Sequence, residues 1–204
     1  MRTDIINQSL EKTLTRARLS WYLAHSDNEL DSALTLYEHN TRLSEAVYPT
    51  LQGLEICFRN TINSQMVLTY GPDWITNAAT PLRTGARSVV RDCQKRSTKS
   101  SVDDLVAELK FSFWVSLLAP QYDATLWRTS LHKRFRASSA RRRDVVHGRM
   151  NALRRFRNRV AHHEPILEQA KMMHGEALEA IGWMCGATQA WVTGLSRFDE
   201  VAGP

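Results

Sequence analysis

The chain punctuates itself sparingly, with 9 glycines and 6 prolines in 204 residues. These residues end helices and turn strands, so their scarcity favours long helices over many short strands. Apolar residues recur at spacings of three and four, the period of a helix that buries one face. The strongest such run covers 41–70 and includes Leu43, Val47, Leu51, Leu54, Phe58, Ile62 and Met66. Pro49 is expected to kink or split it, and Tyr70-Gly71-Pro72-Asp73 to end it in a turn. The same spacing predicts helices over about 7–22, 28–39, 82–96, 123–135, 140–161 and 165–195, with Ser101 capping another. No segment reads as a strand or as a repeat, and 95–101 is the most linker-like stretch. The expectation is an all-α bundle, one domain over 1–204, with about 1–40 as a helical extension.

Charge narrows the range of partners. The chain carries a net +6, but unevenly. Between Lys133 and Arg159 lie eleven lysines and arginines and a single acid, Asp144, so the remainder is net acidic. A basic stripe in a mildly acidic protein is the footprint of a polyanion binder. Cys57, Cys93 and Cys185 are far apart in sequence and form no Cys-x-x-Cys. They predict neither a disulfide framework nor a structural zinc, and read as small apolar side chains in a reducing compartment. The polar Met1-Arg2-Thr3-Asp4 start reads as no signal peptide, and no apolar run reaches the length of a membrane span. The expected location is the cytoplasm, with no membrane partner.

Reactive side chains concentrate between Arg154 and Glu164. On a helix, Arg154, Asn158 and His162 line one face, and Arg155, Arg159 and His163 the next. Arg157 sits roughly 140° round from His162, so one straight helix pairs them poorly. RNA suits such a set because its 2′-hydroxyl is a built-in nucleophile. Cleavage then needs a proton carrier, which histidine supplies near neutral pH. It also needs a charge that stabilises the phosphorane-like transition state, which arginine supplies. Asn158, one turn before His162, is positioned to orient its ring. No metal or cofactor is called for. His163-Glu164 begins a zinc-protease pattern, but Leu167 stands where its second histidine belongs. No glycine-rich phosphate loop is present. Glu55 and Arg59, at i and i+4, are expected to pair on one helix face beside Asn60. Arg141, Arg142 and Arg143, with Arg154, Arg155 and Arg159, are the candidate contacts to RNA backbone.

The run Arg157-Asn158-Arg159-Val160-Ala161-His162-His163-Glu164-Pro165-Ile166 resembles the signature of the Abi-like proteins, an abortive-infection group within the HEPN superfamily. Four further blocks resemble that family in the same order: Leu36-Tyr37-Glu38-His39-Asn40, Leu54-Glu55-Ile56-Cys57-Phe58-Arg59-Asn60-Thr61-Ile62, Gly71-Pro72-Asp73-Trp74 and Phe111-Ser112-Phe113-Trp114-Val115. His39 departs from the pattern, where an aromatic is usual. The resemblance implies a HEPN-like helical bundle and a metal-independent endoribonuclease of the Arg-x4-His type, acting as an antiphage or toxin effector. Carried over, Arg157 is the motif arginine, Asn158 the polar residue after it and His162 the motif histidine. His163, Glu55, Arg59 and Asn60 are possible supporting residues. It also implies a homodimer that completes the site, and a small-RNA or protein antitoxin. Two other readings stay open: a non-catalytic RNA-binding module using the same basic face, and a structural helical dimerisation protein.

Overall fold

Helices dominate because most apolar side chains recur on helical stripes. The computed structural model describes residues 2–96 and 101–203. Met1, Pro204 and the middle of the linker-like stretch, 97–100, lie outside them. The elements are α1 (Asp4–Leu14), α2 (Arg16–Ala24), α3 (Leu30–Tyr70), α4 (Thr84–Arg96), α5 (Val102–Glu108), α6 (Phe111–Ser116), α7 (Arg143–Ala161), α8 (Ala170–Met184), α9 (Gly186–Leu195) and α10 (Phe198–Ala202). Among the described residues there is no strand, and the fold is all-α. No helix among them is long and apolar enough to cross a membrane.

The organising element is α3, 41 residues long and continuous through Pro49. Its buried face carries Leu43, Val47, Leu51, Leu54, Phe58, Ile62 and Met66. These pack with Trp74, Trp114, Leu153, Phe156 and Ile181 into the main core. A smaller core under the N-terminal helices joins Leu19, Tyr22 and Leu23 of α2 to Ala33 and Leu34 of α3. Arg2 fastens the chain start to α3 through Glu38, Asp31 and Thr35. Position 40 therefore falls inside a continuous helix.

Four element boundaries differ from expectation, each for a local reason. The helix expected over 7–22 breaks at Thr15, whose φ is +69°. Its N–H donates to the Glu11 carbonyl and its hydroxyl accepts from the Arg18 N–H, so one residue ends α1 and caps α2. The helices expected over 28–39 and 41–70 are one, because Asn40 sends its side chain to a distant loop instead of competing for its own backbone. The helix expected over 123–135 is two short turns, Asp123–Trp127 and Leu131–Arg134. Buried Ser130 between them is held by the Gln65 and Thr69 side chains, at 3.1 and 2.6 Å, and Arg134 donates to Gln65 Oε1 at 2.9 Å. The last helix starts at Ala170 and breaks at extended Cys185, giving α8 and α9. The close of α9 on α3 uses Gly53, where a Cβ would stand 2.5 Å from Val192 Cγ2.

Candidate functional site

The end of α7 is closed by main-chain atoms. The Glu164 N–H donates to the Arg159 carbonyl at 2.9 Å and the His163 N–H to the Val160 carbonyl at 3.1 Å. Between them His163 takes a left-handed conformation, with φ +57°. This is the helix stop that glycine usually makes. Arg18 of α2 donates to the His162 and His163 carbonyls at 3.4 and 3.2 Å, placing a cation at the negative end of the helix. Both imidazoles are left exposed.

Beyond the stop, Asn40 clamps the connection to α8. Its Nδ2 donates to the Glu164 carbonyl at 3.3 Å and its Oδ1 accepts from the Ile166 N–H at 2.7 Å. Asn40 is only 3% exposed, so these bonds replace water that the site excludes. Arg159 donates to the Pro165 carbonyl at 2.5 Å and lies 3.6 Å from Glu164. Its guanidinium holds the loop in place.

A groove of 1520 Å³ runs between the middle of α3 and the C-terminal half of α7, with Lys110 and Arg197 on its rim. Arg154, Arg157 and Asn158 line it from α7, and His162 and His163 from the stop that follows. Arg42, Glu55 and Arg59 line it from α3. The groove wall is broad enough to take in both Arg157 and His162 despite the angle between them on the helix. Arg157 Nε donates to Glu55 Oε1 at 2.5 Å, across two elements far apart in sequence. This corrects the expected pairing within α3: Arg59 donates instead to Asn60 Oδ1 at 3.0 Å. The glutamate reaches its partner across the groove, from the α3 wall to the α7 wall. Fixing Nε leaves the two Nη groups of Arg157 with no protein partner among the described residues. Asn158 is half-buried in the groove wall and makes no hydrogen bond to the His162 ring.

The rest of the expected set divides. Asn60 lines a neighbouring cavity instead of the groove. Arg141 and Arg155 are exposed. Arg142 forks onto Asp144 at 2.6 and 3.1 Å. Arg143 turns inward, donating to the Leu118 carbonyl at 2.7 Å and lying 3.4 Å from Asp123. Arg149 pairs with Glu176 and Glu179 and covers the Trp183 ring at 5.1 Å. Much of the basic stripe thus ties elements together, and the cations facing the groove come from α3, α7 and the residues that precede α6 and α10. Arg18, Asn40, Arg42, Lys110 and Arg197 had no signal of this role in the sequence, except that Asn40 sat in one of the blocks with family resemblance. Comparison with known protein families, with curated proteins and with solved structures finds no match for this chain.

Proposed function

We propose that this protein is a metal-independent endoribonuclease of the HEPN, Abi-like kind, an antiphage or toxin effector whose groove takes RNA. The observation that carries the reading is the convergence of Arg157, Asn158 and His162 on one groove, with further cations on both of its walls. In this reading Arg157, oriented by Glu55, stabilises the charge that builds on the phosphate. His162 moves the proton between the 2′-hydroxyl and the leaving oxygen. Arg42, Arg59, Lys110 and Arg154 hold the flanking phosphates.

A second copy completes the site. An apolar patch supports this: Tyr48, Ile56, Trp191 and Leu195 are 61%, 43%, 63% and 48% exposed and sit along the groove and the cavity beside it. Exposed large side chains grouped in this way mark an interaction surface. A cytoplasmic location and control by a small-RNA or protein antitoxin belong to the same proposal.

The test incubates purified protein with single-stranded RNA in EDTA, beside Arg157→Ala and His162→Ala. Cleavage by the wild type, reduced at least ~100-fold in each variant, is expected. Cleavage that survives both substitutions sinks the assignment. The alternative of a non-catalytic RNA-binding module is favoured by one observation: among the described residues no side chain bonds to the His162 ring. Binding without cleavage would establish it.

A further inference from the structure

Two of the three cysteines, 128 positions apart in the chain, face the same cavity. Cys57 on α3 and Cys185 at the α8–α9 joint both line a cavity of 550 Å³ beside the groove. Thr188, in the first turn of α9, lines the same cavity. Both cysteines are half-buried, whereas Cys93 is buried and donates to Glu108 at 3.8 Å. Cys93 is thus buried as expected, and Cys57 and Cys185 are less enclosed than expected.

The two thiols have different characters. Cys185 is the residue that precedes α9, and nearby Thr188 holds its thiol below the ordinary value. Burial pushes the Cys57 thiol up. One is therefore suited to attack and the other to follow. Cys185 also has extended backbone, φ −154° and ψ 105°, between two helices, and it is this joint that a disulfide would require to bring the sulfurs into bonding geometry.

We propose that Cys57 and Cys185 form an oxidation site, a dithiol that hydroperoxides convert to a disulfide. The Cys185 thiolate attacks one peroxide oxygen. The O–O bond breaks, Cys185 becomes a sulfenic acid, and the departing oxygen takes up protons and leaves as water when the oxidant is hydrogen peroxide. The Cys57 sulfur then attacks the Cys185 sulfur, the S–O bond breaks, and the Cys57 proton leaves with the hydroxide as a second water. Two thiols lose two electrons and two protons, and the peroxide becomes two waters. A small thiol reverses the bond by exchange. The bond would fasten the α8–α9 joint to the middle of α3. Pro49, Gln52, Ile56 and Leu195 line both this cavity and the groove, so the groove wall would be held with it.

The experiment uses the reduced full chain and no RNA, so it stands apart from the ribonuclease reading. The protein is treated with hydrogen peroxide, alkylated with N-ethylmaleimide and mapped by mass spectrometry, with circular dichroism confirming that it stays folded. Two of the three thiols should become unavailable, one crosslinked peptide pair should contain Cys57 and Cys185, and dithiothreitol should restore both. Cys57→Ser should leave Cys185 as a sulfenic acid that dimedone traps. Cys185→Ser, which keeps a good helix-capping residue at that position, should lower the oxidation rate of Cys57 at least ~10-fold. If Cys57 and Cys185 both stay alkylatable in the folded protein, or the bond formed runs through Cys93 or between two chains, the proposal is overturned.

Discussion

His163 shows how a residue can be conspicuous in sequence and still have its place set by the backbone. Its left-handed conformation costs an L-residue about 1–2 kcal/mol, less for histidine than for a branched side chain. Its main-chain N–H and carbonyl do the structural work, through Val160 and Arg18. His163→Gly keeps both groups and removes the strain, so it should raise stability by about 0.5–1 kcal/mol in a denaturant titration. RNA cleavage should persist. Loss of cleavage in a stabilised variant would move the proton-transfer role from His162 to His163. The motif residues themselves were legible in the sequence, because Arg157, Asn158 and His162 are close in the chain. Their partners were not. Local spacing pairs Glu55 with Arg59, four residues on, because nearby positions are all that a sequence displays, and the real partner stands on another helix.

At the scale of elements, the junctions carry the information that periodicity lacks. The apolar stripes of α3 and α7 were visible as repeats of three and four. The breaks at Thr15 and Cys185, and the absence of one at Asn40, depend on hydrogen bonds to residues that a helical pattern does not reveal. Asn40 joins α3 to the loop between α7 and α8. Asn40→Ala strands the buried Ile166 N–H and should lower stability by about 2–3 kcal/mol, a fall in Tm on the order of 5–10 °C by calorimetry. A variant that melts with the wild type would show that the clamp is dispensable. The C-terminal α10 has its own latch. His174 is 6% exposed, stacks on Phe198 at 4.2 Å and meets Ser196 Oγ at 3.0 Å through Nε2. Burial holds its imidazole below the ordinary 6.5, against a smaller opposing pull from Asp199. Burial and neighbouring Arg143 act in the same direction on His147. Protonation is thus disfavoured in the folded chain relative to the unfolded one. Stability present above pH 6.5 should be lost as the pH falls below it. His174→Gln should flatten the dependence of Tm on pH between about 7.5 and 5.5, leaving the share that His147 supplies. An unchanged slope would remove His174 from the acid response.

Across the whole molecule, the all-α class followed from the scarcity of breakers, and the basic stripe from counting charges. The division of that stripe did not. Arg143, Arg149 and Arg159 spend their charge on internal ties, and Arg42, Lys110 and Arg197 join the groove from elsewhere, because tertiary packing decides which way a long side chain faces. The apolar patch around Trp191 and Tyr48 is likewise scattered along the chain and assembled only by folding. If a second copy covers it, sedimentation of the wild type should report a dimer, and Trp191→Lys with Tyr48→Lys a folded monomer with weakened cleavage. A monomeric wild type would leave each groove to act alone. The length of α3 has a consequence for how such a protein can change over time. Asn40, Glu55 and Cys57 ride on one uninterrupted helix and serve, in turn, the loop clamp, the groove and the thiol cavity. Adding one residue between 40 and 55 would swing everything beyond it by about 100° and advance it by about 1.5 Å. All three alignments cannot survive that, so this helix can exchange residues but not gain or lose them, and variation in length has to accumulate in the connections around it.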